Sequence, residues 1–120
     1  MLDSKKKAFV IATCRRATFR WKPRGEALKA SKAGRNQYRC AMCPSNKFYA
    51  NKDKQLDHKE PAVRLSGWVS ADDFIDRLLC DVDGFQVLCK PHHAEKTEKE
   101  KQIRKEFRMM AKKAKEKMGD

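Results

Sequence analysis

The chain contains no long hydrophobic run. The apolar stretch that follows Lys5-Lys6-Lys7 is only Ala8-Phe9-Val10-Ile11-Ala12, and Arg15-Arg16 come soon after. That is too short for a membrane-crossing helix. It is also too short, and too quickly followed by charge, for a secretion signal, so a cytosolic protein is expected. Acidic residues are scarce, 16 against 29 Lys and Arg. Aromatics are 8% of the residues and the mean hydropathy is -0.87. A chain of 120 residues with so little apolar material is one domain with a modest core. Such a chain calls for a staple, and structural zinc is the natural one. Cysteines number five, and an odd count with one Cys-x-x-Cys argues against a disulfide framework and for metal ligands in a reducing compartment.

What is abundant is positive charge, unevenly spread. Residues 1–39 carry 12 basic residues against 2 acids, residues 40–97 carry 8 against 9, and residues 98–120 carry 9 against 5. Basic ends around a near-neutral centre suit a polyanion such as DNA or RNA.

The three histidines lie in two short segments of that centre, Gln55-Leu56-Asp57-His58 and Leu88-Cys89-Lys90-Pro91-His92-His93. Upstream is Cys40-Ala41-Met42-Cys43. Cys-x-x-Cys followed by a distant Cys-x-x-His supplies the four soft donors that tetrahedral zinc takes, here Cys40, Cys43, Cys89 and His92. Asp57, His58 and His93 are then a surplus, and those types suit a catalytic metal with a base beside it. Neighbouring side chains on a helix point about 100° apart, so His92 and His93 should serve different places. Spacing is the only warrant here, and the reverse assignment stays open. Cys14 and Cys80 fall outside the ligand spacing and read as small buried apolar residues.

The periodicity predicts a helix capped by Ser4 and running to about Arg16, then a connector Thr18–Trp21 with aromatic anchors. A second helix is expected over 24–33, begun by Pro23 and stopped by Gly34. Tyr38–Cys40 and Phe48–Ala50 read as short strands around the Cys-x-x-Cys turn. Residues 54–59 and 85–88 read as strands, and Ser70 caps a helix over 71–80. From Pro91 to about Met118 the pattern is helical, with a break allowed near Thr97. Ile103, Phe107, Met110, Ala114 and Met118 form one apolar stripe, read as core or partner packing.

In this order the motifs resemble the HNH endonuclease family in its phage-type members. The resemblance spans about residues 38–98 and rests on Cys40-x-x-Cys43, Asp57-His58 and Phe85-Gln86-Val87-Leu88-Cys89-x-x-His92-His93-x-x-Lys96-Thr97. It implies an α+β fold: a small ββα-metal, treble-clef-like core with structural zinc, flanked by helices. The implied organisation is a basic helical arm over 1–37, the nuclease core over 38–98 and a basic helix over 99–120. The implied activity is metal-dependent phosphodiester hydrolysis of DNA, expected to be double-stranded. His58 would be the general base, which imidazole suits because it exchanges its proton near neutral pH. Asp57 and His93 would hold a catalytic divalent cation (Mg²⁺, Mn²⁺, Ni²⁺ or Zn²⁺) at the scissile phosphate. Arg15, Arg16, Arg20, Arg24 and Lys96 would contact DNA, the arginines as an arm similar to those of small phage proteins of this family. The compartment would then be a host cytoplasm, and a terminase or other packaging protein a partner. Two departures stand out. His92 takes a zinc position that is usually Cys. The middle Asn of the family pattern falls on Gly84, which leaves bracing of the inter-strand loop to Asp83 or Gln86. The alternative function is a non-catalytic zinc-knuckle protein that binds nucleic acid, or a terminase-associated accessory.

Overall fold

A computed structural model describes residues 2–118. It is an α+β structure of four helices and two small antiparallel sheets. Helix α1 spans Ser4–Ala17. Its N-cap is Asp3, whose carboxylate accepts from the Lys6 backbone N–H at 2.8 Å, so Ser4 is the first helical residue and not the cap. Aspartate at the cap answers the dipole that three successive lysines would otherwise oppose.

The connector tightens into a 3₁₀ turn over Thr18–Arg20. Only one of its aromatics is an anchor: the Trp21 indole N–H donates to the Cys80 carbonyl at 2.7 Å, whereas Phe19 is exposed under the Arg24 guanidinium. Helix α2 spans Lys22–Ser31, with Pro23 in its first turn. It ends two residues earlier than Gly34 suggests, because Lys32–Gly34 turns into strand β1 and pairs with β2, Gln37–Tyr38. The turn between them puts Asn36 at φ 54°, the left-handed region that Asn tolerates. The two strands expected around the Cys-x-x-Cys turn are reduced to β2 and a single bridge from Tyr38 to Tyr49.

Strand β3, Lys54–His58, pairs antiparallel with β4, Phe85–Cys89, in a register that sets Asp57 opposite Gln86 and His58 opposite Phe85. Between them residues 59–84 fold back over helix α3, Ala71–Leu78, capped as expected by the Ser70 side chain on the Asp73 N–H. This excursion is pinned by arginines. Arg64 makes a forked pair with Asp73, and Arg77 donates to the Pro61 carbonyl. Beyond β4, helix α4 runs from Lys90 to Met118 without the break allowed near Thr97.

Two apolar clusters hold these parts. One joins Cys40, Leu88 and Cys89, with Cys43 and Tyr49 against them. The other joins Ala62, Phe74 and Leu78 under Val10, Ile11, Cys14 and Trp68, which is how α1 is bound to the α3 excursion. The α4 stripe belongs to neither. Ile103 and Phe107 are partly exposed beside the 63–67 segment, and Met110 and Met118 are more exposed still. Of core or partner packing, the described residues therefore do not supply a core along this helix, about 43 Å long. Cys14 and Cys80 are half-buried rather than fully so.

Candidate metal centre and basic-walled cleft

The Cys40–Cys43 turn is docked on β4 by the Ala41 N–H, which donates to the Val87 carbonyl at 2.8 Å. The Cys43 N–H donates to the Cys40 carbonyl, and the Met42 N–H approaches the Cys40 sulfur at 3.4 Å. Cys89 closes β4, and His92 comes one helical turn later on α4. The four donor atoms lie within 4.8 Å of one another. The Cys43 and Cys89 sulfurs are 3.8 Å apart, and the His92 Nδ1 lies 3.1 to 3.5 Å from the three sulfurs. With Zn–S near 2.3 Å, a tetrahedron has an S–S edge of about 3.8 Å. The group can therefore hold a structural metal such as zinc, through the residues that the spacing singles out.

At Cys89 the electrostatics of the cluster favour thiolate. Burial pushes the Cys89 thiol up. The His92 backbone N–H and the side chains of Cys40, Cys43 and Tyr49 outweigh that, and the net value is lowered to about 7. Burial pushes Cys40 up. Tyr49, which the spacing did not flag, sits with its hydroxyl 3.0 Å from the Cys43 sulfur, and that contact raises its own ionisation well above the ordinary phenol range.

His93 leaves α4 in another direction. Its Nε2 lies 3.8 Å from Asp57 Oδ1. The other Asp57 oxygen is taken: Gln86 Nε2 donates to Oδ2 at 3.0 Å, and Lys96 Nζ lies 3.0 Å from it. Lys96 also reaches the His58 carbonyl at 3.0 Å and Glu100 at 3.3 Å. Of the two bracing residues suggested by the Gly84 departure, Gln86 is the one that engages the site. Gly84 itself has a different reason: a Cβ there would stand 2.6 Å from the Cys80 sulfur.

His58 sits on the Phe85 ring at a centroid distance of 4.8 Å. Its Nε2 is 2.8 Å from the Leu78 carbonyl, one of the unpaired carbonyls at the end of α3. A carbonyl can only accept, so Nε2 carries the proton and Nδ1 is left as the free nitrogen of the neutral ring.

Asp57, His58, His93, Lys96 and Glu100 line one open cleft of about 620 Å³. Its walls include Arg15 and Arg24 from the N-terminal segment and Lys101, Arg104 and Arg108 from α4. Arg16 and Arg20 are exposed and are not among the residues lining it. Lys96 lines the cleft but is tied to two carboxylates. Glu100 and the Leu78 carbonyl carried no motif. Glu100 is legible only as the i+4 partner of Lys96, and Leu78 only through the fold. Comparison with family models, curated proteins and solved structures found no match. No helix among the described residues is long and apolar enough to cross a membrane.

Proposed function

We propose that the protein is a metal-dependent DNA endonuclease of the HNH kind, with β3, β4 and the start of α4 as its ββα-metal core. The observation that carries this reading is the meeting of Asp57, His58 and His93 in one basic-walled cleft, separate from the four-donor cluster. A protein that only bound nucleic acid through a zinc knuckle would have no use for that second set.

In this reading Asp57 and His93, whose Oδ1 and Nε2 lie 3.8 Å apart, would hold a divalent cation. Bound there, such an ion supplies charge to a phosphate and to the oxygen leaving from it. The protein's own part is positioning and proton transfer. Gln86 and Lys96 hold Asp57 Oδ2, which turns Oδ1 toward His93. The Leu78 carbonyl fixes the His58 tautomer, and Nδ1 takes the proton of the attacking water. Arg15 and Arg24 flank the strand being cut.

The test is nicking of supercoiled plasmid with Mg²⁺, Mn²⁺ or Ni²⁺, wild type against His58→Ala. The expected result is metal-dependent nicking that the variant loses while it still binds DNA. Clean wild type that nicks with none of the three metals would end the enzyme reading. Equal cutting by His58→Ala would end the assignment of the base.

A further inference from the structure

Charge on α4 is sorted by face. At about 100° per residue, Lys101, Arg104, Lys105, Arg108, Lys112 and Lys115 all fall within about 60° of the Lys101 direction. Glu106 is the one acid between positions 101 and 115, and it falls about 140° away. A helix that is merely solvated intersperses its acids as i,i+4 partners, as α4 itself does at Glu95–Lys99 and Lys96–Glu100. Past Lys101 the first acid on this face is Glu116, four residues after Lys112, so Lys101, Arg104, Lys105 and Arg108 have no i+4 acid there.

The face is also aimed. Lys101, Arg104 and Arg108 line the cleft that holds Asp57 and His58. Arg104 does not spend its charge outward: its guanidinium donates to the Val63 and Arg64 carbonyls at 2.8 and 3.0 Å. That clamp sets the direction in which α4 leaves the core. Lys105, Arg108, Lys112 and Lys115 are exposed.

We propose that this face is a rail for the backbone of double-stranded DNA, carrying the duplex away from the cleft toward the far end of α4. From Lys101 to Lys115 it is about 21 Å long, and one DNA strand presents a phosphate roughly every 3.4 Å. The proposal rests on the endonuclease reading for its substrate, and it adds where the duplex lies outside the cut site.

The test is the salt dependence of binding to a 24-base-pair duplex, measured on the full chain. Lys112→Gln/Lys115→Gln is compared with Lys113→Gln/Lys117→Gln, which removes the same charge from another face of the same exposed helix. The rail variant is expected to lose about 2 from the slope of log affinity against log salt, at roughly 0.9 per phosphate. The control is expected to keep its slope. Equal slopes in wild type and rail variant would overturn the rail, and so would equal losses in the two variants. A matched RNA duplex bound more tightly than DNA would overturn the substrate. Wild type that binds DNA with the predicted rail dependence yet never nicks leaves the rail standing and ends the nuclease reading. Wild type that nicks while the rail variant keeps its slope does the reverse.

Discussion

The cysteine cluster and the basic-walled cleft are built by adjacent residues of α4, yet they are different kinds of site. Around His92 four soft donors converge on one point, three of them sulfurs, and the cleft side chains take no part. Around His93 each group has several partners: Asp57 is shared by Gln86, Lys96 and His93, and Lys96 by Asp57, Glu100 and the His58 carbonyl. A closed donor set has one use, to hold an ion and with it the fold. A shared, open set can exchange partners when a charged ligand arrives, which is what a reaction needs.

The sharpest way to break this contrast is Cys89→Ser. If the cluster is the staple, the variant loses the zinc and the fold together, since about 10 kcal/mol of metal-coupled folding free energy is at stake in such sites. Metal analysis with circular dichroism reads both, and a folded, zinc-free variant would remove the structural role.

On the other side of the contrast, His58→Ala should keep its zinc, lose only about 1–2 kcal/mol of stability with the Leu78 contact, and lose about 10²- to 10⁴-fold in nicking rate, the usual worth of a general base. Parallel loss of zinc would mean that the two sites are not independent.

A smaller effect is expected at Gly84. Gly84→Ala forces a Cβ against Cys80 and should cost about 1–3 kcal/mol in urea unfolding, with part regained in a Cys80→Gly background. The same variant should leave zinc content unchanged. A neutral Gly84→Ala would show that the Cys80 side chain simply moves aside.

The smallest change is Lys96→Gln, which keeps a donor toward Asp57 and removes the charge. Divalent-ion affinity, read by calorimetry, should tighten about 3-fold because a cation no longer competes at the carboxylate. Unchanged affinity would mean that the cation does not bind near Asp57.

Much of both sites was legible along the chain. The Cys-x-x-Cys and Cys-x-x-His spacings named the cluster, and the one-residue offset on a helix separated His92 from His93. Helix ends were less legible, for local reasons: Asp3 outcompeted Ser4 as cap, and pairing of Lys32–Gly34 with Gln37–Tyr38 ended α2 before its glycine. The α4 stripe reads as core or partner packing because its periodicity is right, but periodicity cannot say whether a covering surface exists, and among the described residues Met110 and Met118 stay exposed.

The sequence by itself determined the donor types and the spacing within each Cys-x-x-Cys and Cys-x-x-His pair, because that spacing depends on backbone geometry over three or four residues. Only the tertiary structure decided what surrounds Asp57 and His58. The Leu78 carbonyl, 20 residues along the chain from His58, and Gln86, 29 from Asp57, become partners through the α3 excursion and the β3–β4 register. Hydrogen-bond partners so far apart in sequence leave no local pattern, since it is the packing of Ala62, Phe74 and Leu78 that sets where the end of α3 lies.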